Sequence, residues 1–318
     1  MQAAISISNI SKSYGQVAAL KNISFDVNDG ELFGLIGPDG AGKSSLFRIL
    51  TTLILADKGE ANVVGLNVAK DHMQIRQRIG YMPGRFSLYQ DLTVQENLDF
   101  FATIFKTSIE ENYHLIKEIY VQLEPFKKRP AGKLSGGMKQ KLALCCALIH
   151  KPDVLFLDEP TTGVDPVSRK EFWQMLKRLK AQGIAILVST PYMDEAALCD
   201  RIALIQKGKI LKIDSPEHIH KDYDGNLFSV KSKDTYGLIQ HLRSLPQVNS
   251  CYAFGEYLHV TLNVSLKETT TLLEAIKAEN FNDLEWKKSE PGIEDVFMQL
   301  LSKSSDESLK FKVQSTSN

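Results

Sequence analysis

Apolar positions alternate near the start of the chain and then begin to run together. Ile23, Phe25 and Val27 lie two apart, a period that predicts half-buried strands, and residues 4–27 read as short strands. Asn28-Asp29-Gly30 follows as a hairpin turn signal. Leu32 to Ile36 is then broken only by Gly34, the pattern of a fully buried strand. Leu46 to Leu50 starts a helix. Further buried strands are predicted at 154–157 and 184–188, with strands at 59–65 and 79–82. Strands at 201–206 and 210–213 flank Lys207-Gly208-Lys209. Leu98, Phe101 and Phe105 repeat at helical spacing, and 94–126 reads as largely helical, an insertion beside the sheet. From Leu227 the order becomes strand, helix, strand, strand, helix, strand, with a last short helix at 293–301. That order is the split βαβ unit.

The stretch between the strand at 32–36 and the helix carries the chemistry. Gly37-Pro38-Asp39-Gly40-Ala41-Gly42-Lys43-Ser44-Ser45 fits G-x-x-x-x-G-K-[ST]. Glycines let the main chain curl so that successive N–H groups face a phosphate, and the helix N-terminus adds partial positive charge. Lys43 would reach the outer phosphates, and the Ser44 hydroxyl would serve magnesium. The strand at 154–157 ends in Asp158 and Glu159, carboxylates at the strand end where α/β sheets bind ligands. Asp158 suits a magnesium ion, and Glu159 suits a general base for an attacking water. Ser135-Gly136-Gly137 precedes a helix that Ser135 would cap, and Asp165-Pro166 opens another. Tyr14 lies in a loop ahead of the glycine-rich stretch. Its ring is open to two readings, stacking on a base or ordinary half-buried packing.

Composition narrows the class. At 318 residues the chain accommodates about two domains. Lysine plus arginine equals aspartate plus glutamate, so no electrostatic footprint for nucleic acid covers the chain. No stretch reads as membrane-spanning, and residues 1–6 lack the pattern of a signal peptide, so a cytoplasmic protein is expected. Cys145, Cys146, Cys199 and Cys251 have no C-x-x-C spacing and read as buried thiols. The seven histidines form no ligand cluster.

In their order along the chain these motifs resemble the nucleotide-binding subunit of ABC transporters, over about residues 5–219. The aromatic loop at Tyr14, the Walker A stretch Gly37–Ser44 and the signature Leu134-Ser135-Gly136-Gly137 carry the resemblance. So do the Walker B strand ending at Asp158, the following Glu159, and the D-loop Gly163-Val164-Asp165. The ending Pro291-Gly292-Ile293-Glu294-Asp295-Val296-Phe297 is similar to that of bacterial drug- and polysaccharide-type exporters.

The resemblance implies an α/β P-loop NTPase fold at 1–222, with an antiparallel β subdomain and a helical subdomain at about 90–150. A small α+β ferredoxin-like domain at 223–303 and a flexible tail at 304–318 complete the expected organisation. It implies ATP and magnesium as ligands, and Lys43 and Glu159 as the catalytic pair. A second copy, or a second ATPase domain, would supply Ser135, Gly136 and Gly137 in trans. A separate membrane-spanning permease would be the partner, placing the chain on the inner face of the cell membrane. Phe86, Leu88 and Tyr89 fall where this family contacts its permease, though local core packing accounts for them equally.

Two positions depart from the family pattern. Gly84 stands where a glutamine is usual, with Gln90 a few residues on, and Pro191 stands where a histidine follows Ser189-Thr190. Proline offers neither a side-chain donor nor an N–H. Loss of such a donor costs about 10²–10³ in rate, so slow turnover is expected. The alternative is a catalytically impaired regulatory partner in a heterodimer. A soluble relative acting on ribosomes or DNA is disfavoured by the single P-loop and the absence of a basic block.

Overall fold

The alternation at the start of the chain becomes two long strands rather than several short ones. In the computed structural model, which describes residues 3–84, 88–279 and 281–303, β1 (Ala3–Tyr14) and β2 (Val17–Asn28) pair antiparallel with several register shifts. Those bulges let each strand bend without ending. Tyr14 therefore closes β1, paired with Val17, and is not in a free loop. Asn28–Glu31 does turn, with the Glu31 N–H donating to Asn28 O at 3.2 Å, but it makes no hairpin. The next strand, β3 (Leu32–Ile36), leaves for a different sheet. A strand buried at every residue needs neighbours on both faces, which β2 cannot supply.

After β3 come α1 (Lys43–Leu50), β4 (Lys58–Val63), β5 (Leu66–Asn67), α2 (His72–Arg78) and β6 (Ile79–Met82). The helical insertion holds α3 (Val94–Ile104), α4 (Tyr113–Tyr120) and α5 (Gly136–Leu148), with 3₁₀ turns at Glu124–Phe126 and Ala131–Lys133. Residues 94–126 are thus largely helical, as expected, with a break after α3. Thr93 and Glu96 form a capping box that starts α3, and Lys106 at φ 56° ends that segment just beyond it. Then follow β7 (Val154–Asp158), α6 (Pro166–Ala181), β8 (Ala185–Thr190), α7 (Met193–Ala196), β9 (Arg201–Gln206) and β10 (Lys209–Asp214).

Two sheets result. One is antiparallel, in the order β2-β1-β4-β5; the other has six strands in the order β10-β9-β3-β8-β7-β6. In the second sheet β9, β3, β8, β7 and β6 run parallel, with β10 antiparallel at the edge. The core lies between the sheets around α1, where Phe25 stacks on Phe33 with centroids 5.1 Å apart and Phe47 meets Phe156 edge-on. Strand β3 lies inside the six-stranded sheet and is buried at every residue, so the loop leading from it to α1 is held by a rigid support.

The chain divides into two compact units, the first ending at Pro216 and the second starting at Glu217. After α8 (Pro216–Lys221) the second unit contains β11 (Asn226–Lys231), α9 (Thr235–Ser244), β12 (Val248–Phe254), β13 (Tyr257–Leu262), α10 (Leu266–Glu279) and β14 (Glu285–Lys288). A last helix, α11, spans 293–303. The sheet order β12-β13-β11-β14, antiparallel throughout, is the ferredoxin-like arrangement that the β-α-β-β-α-β order predicts. Phe228, Val230, Leu258 and Val260 pack with Leu238, Leu242, Leu273 and Ile276 in its core. On α11, the buried Asp295 accepts from the Tyr252 hydroxyl and lies 2.6 Å from His259 Nδ1.

No helix among the described residues is long and apolar enough to cross a membrane. All four cysteines are buried and free, and burial pushes their thiols to higher pKa. No group of three metal-ligating side chains occurs among the described residues. The expected tail at 304–318 and Phe86 lie outside those residues.

Candidate nucleotide site

Buried β3 ends at Ile36, and the next six residues, Gly37 to Gly42, curl back before α1 begins at Lys43. Two glycines are obligatory here for different reasons. A Cβ on Gly37 would overlap the carbonyl oxygen of Ile205 on β9. At Gly42 it would overlap the carbonyl of Ala19, and φ there is 109°, a conformation L side chains rarely adopt. The loop is also tied from outside. The Gly208 N–H donates to Ala41 O at 2.9 Å, and the Lys21 N–H donates to Gly208 O at 2.7 Å. Gly208, between β9 and β10, thereby joins the loop to the β1–β2 hairpin. Tyr14 belongs to that hairpin; its ring is 46% exposed, with Lys12 Nζ 5.9 Å from its centroid.

The first turn of α1 carries no acidic residue, so its N–H groups and dipole are unopposed. Asp39 and Gly40 lie at the exposed tip of the loop, flanked by half-buried Pro38 and buried Ala41, and Ser44 is exposed with half-buried Ser45 beside it. Lys43 is 3% exposed. Its ammonium donates to Gly37 O at 2.7 Å and Pro38 O at 3.0 Å, and stands 3.0 Å from Glu159 Oε1. A cation is thus drawn into the bowl of the loop by three oxygens.

The second half of the site comes from β7 and its neighbour β8. Their parallel register sets Asp158 opposite Ser189. The Ser189 hydroxyl donates to Asp158 Oδ1 at 2.6 Å and accepts the Glu159 N–H at 3.0 Å; the Ser189 carbonyl accepts the same N–H at 3.1 Å. Glu159 is held at φ 52°, a strained value for a residue with a side chain. This turn aims its carboxylate back at Lys43. Asp158 and Tyr81 sit on adjacent strands, and burial, with the Asp158 charge adding to it, pushes the Tyr81 hydroxyl up to about 12.

The two departures from the family pattern also lie here. A Cβ on Gly84 would stand 3.2 Å from Asp158 O and 3.8 Å from its Oδ2. Position 84 therefore faces Asp158, but glycine extends nothing toward it. Pro191 follows β8 directly. Below it, Thr190 and Thr161 both donate to buried Glu195, at 2.5 and 2.7 Å, which fixes the loop.

Lys43, Asp158 and Glu159 are brought together, whereas Ser135, Gly136 and Gly137 meet other residues. Ser135 caps α5, accepting from the Met138 N–H at 3.3 Å. A Cβ on Gly136 would face Gly163 O, and one on Gly137 would come 2.6 Å from Ser168 Oγ. Asp165 caps α6, accepting from the Val167 and Ser168 N–H groups, and those hydrogen bonds, Ser168's first, lower its pKa. Tyr89 packs edge-on against Phe100 yet is 48% exposed; Leu88 is buried.

Sequence reasoning missed Ser189 and Glu195. Both belong to the stretch from β8 into α7, and the polar Ser189-Thr190 at the end of a buried strand was the available signal.

Comparison with known proteins agrees with this geometry. The ABC transporter family model matches residues 20–162. The probable multidrug ABC transporter ATP-binding protein YbhF of Escherichia coli is 38% identical over 89% of this chain and 49% of its own length. The chain thus spans about half of that relative. The linearmycin resistance ATP-binding protein LnrL of Bacillus subtilis is 33% identical over 92% of this chain and 96% of its own. Among solved structures, the dimeric post-hydrolysis state of the ATP-binding cassette MJ0796, bound to ADP and Pi, superposes with a TM-score of 0.60. It is 28% identical, covering 66% of this chain and 98% of that one. With the phosphate loop, the paired carboxylates of β7 and near full-length similarity to such a protein in place, the chain belongs to the ABC transporter family as one of its ATP-binding proteins.

Proposed function

We propose that this chain binds and hydrolyses ATP to drive export through a separate membrane-spanning permease. The observation that carries the reading is the convergence of Lys43 and Glu159, 3.0 Å apart, at the mouth of the phosphate loop. The loop N–H groups and Lys43 bind the phosphates, and Glu159 takes a proton from the attacking water. Gly37 and Gly42 let the loop pack directly on the backbone of Ile205 and Ala19, which any side chain would prevent. Ser44 and Asp158 present hard oxygens suited to magnesium, which when bound supplies positive charge to the phosphates.

One chain makes half a site. Gly136 and Gly137 face Gly163 and Ser168 of their own chain and Ser135 caps α5, so in this reading the cover over a bound phosphate comes from a second ATPase domain. A second copy of this chain or a similar subunit serves, as the dimeric form of MJ0796 supports. Opening and closing of the pair moves the permease, at the inner face of the membrane. The relatives named for multidrug and linearmycin resistance support export as the direction. The permease selects the substrate.

The test is ATP turnover and ATP-induced dimerisation of the purified chain with magnesium supplied. Turnover that disappears in Glu159→Gln, with a dimer that then persists in ATP, is the expected result. Failure of the unaltered chain to take up ATP in equilibrium dialysis would overturn the reading.

A further inference from the structure

A third carboxylate is buried near Asp158 and Glu159, with no part in the chemistry derived so far. Glu195, on α7, is 1% exposed. Burying a charge is costly unless it is paired and hydrogen-bonded. Both oxygens of Glu195 are engaged, and by three separate parts of the chain. Oε1 accepts from Thr161 Oγ1 at 2.7 Å and faces Nε of Arg169, on α6, at 3.5 Å. Oε2 accepts from Thr190 Oγ1, at the end of β8, at 2.5 Å. Arg169 is the one cation paired with Glu195 among the described residues. Its guanidinium is itself held over the Tyr192 ring, 4.3 Å from the centroid.

The neighbours of these partners give the carboxylate its role. Thr161 lies two residues after Glu159, inside the turn that the Thr162 N–H closes on Glu159 O at 3.3 Å. Glu159 is held at φ 52°, a conformation that persists only where its surroundings enforce it. Ser189 secures that turn at its first residue, by accepting the Glu159 N–H. Glu195 secures it two residues later, through Thr161. Thr190, next to Ser189, completes the link. Its hydroxyl accepts the Tyr192 N–H at 3.1 Å, and its carbonyl accepts the N–H of Gly37, the first residue of the phosphate loop, at 3.2 Å. One buried carboxylate therefore ties the Glu159 turn to the strand end that borders the phosphate loop.

We propose that Glu195 is a positioning residue for ATP hydrolysis. Through Thr161 and Thr190 it fixes where the Glu159 carboxylate stands relative to the phosphate loop, and Arg169 holds Glu195 itself. The proposal rests on the ATPase reading above. Glu195 acts only through those hydroxyls, so the rate of the chemical step depends on it and the affinity for ATP does not.

Single-turnover hydrolysis and equilibrium dialysis, with ATP and magnesium on the full chain, test it. Thr161→Val keeps the branched shape and removes the hydroxyl. It should slow hydrolysis by about ten- to a hundredfold, the scale on which a misplaced reacting group loses rate, with the dissociation constant for ATP held within about twofold. Thr161→Ser, which keeps the hydroxyl, should recover most of the rate. Arg169→Gln, at a partly exposed position, should slow hydrolysis in the same way and carries the test if the valine variant does not fold. Both substitutions act through Glu195, so the double variant should lose little more than the slower single one. An unchanged rate in either single variant, ATP affinity lost in step with rate, no recovery in Thr161→Ser, or losses that multiply in the double variant would overturn the proposal and leave the ATPase reading standing. An unaltered chain that binds ATP but never turns it over would overturn both.

Discussion

The Lys43 ammonium stands 3.0 Å from Oε1 of Glu159, although the two residues are far apart in sequence and belong to different strand–loop units. Lys43 is nearly buried, and its other contacts are main-chain carbonyls, so this is the one carboxylate that neutralises it among the described residues. In the proposed function the pair links phosphate binding to the group that would activate water, and substitution should separate the two. Glu159→Gln should retain ATP while its hydrolysis falls by about 10²–10⁴, the usual contribution of a general base. Lys43→Ala should lose ATP itself. Single-turnover hydrolysis and equilibrium dialysis on the two variants check this; equal loss of binding in both would contradict it.

Pro191 follows the last residue of β8, at the position where the family pattern has a histidine. Pro191→His should raise the ATPase rate by up to about 10²–10³. Steady-state turnover of the two purified proteins decides it. Matching rates would mean that this position contributes nothing to catalysis here.

Ser189 is fully buried, and its hydroxyl serves Asp158 and the Glu159 N–H at once. Ser189→Ala leaves a buried carboxylate short of one donor, and the strained Glu159 turn loses one of its two acceptors. A loss of about 1–3 kcal/mol is expected in urea unfolding of the variant. Turnover should fall with it, whereas Ser189→Thr, which keeps the hydroxyl, should restore part of both. An alanine variant as stable and as active as the parent would show that the bridge is incidental.

Tyr81 gives a pH signature. Its hydroxyl is raised from the ordinary tyrosine value of 10.0 to about 12 in the folded chain, mainly by burial. The unfolded chain therefore releases this proton first. The associated stability is complete below about pH 10 and is lost as pH rises toward 12. Tyr81→Phe should flatten that part of the stability curve, measured by urea midpoints across the alkaline range. An identical alkaline slope in parent and variant would exclude the effect.

The first helix shows how local signals reach the fold. The stretch Gly37 to Ser45 is legible from residue type, because Gly42 admits its φ of 109° and the helix starts at Lys43. The carbonyls of Ile205 and Ala19 that exclude a side chain at 37 and 42 come from elsewhere in the chain. The ferredoxin-like order in the second unit was legible for a similar reason, each element having its own period. Residues 94–126 were harder. Apolar spacing continues across the break after Phe105, and a single positive φ at Lys106 is not a pattern. The turn at Asn28–Glu31 was recognised, but whether a turn joins paired strands depends on which sheet the next strand enters.

From residue types and spacing alone, the chain specified a phosphate loop, two acids at a strand end, two helix caps and a second small α+β unit. Those features depend on contacts within a few residues, which a linear reading captures. Tertiary structure alone decided that Glu159 turns at positive φ to meet Lys43, that Ser189 bridges Asp158 to Glu159, and that Gly84 faces Asp158. It also decided that Thr161 and Thr190 converge on buried Glu195. Each of these depends on strand order and parallel register in the six-stranded sheet, or on which helix covers it. Long-range pairing is set by how the whole core closes, and no local stretch of sequence encodes that.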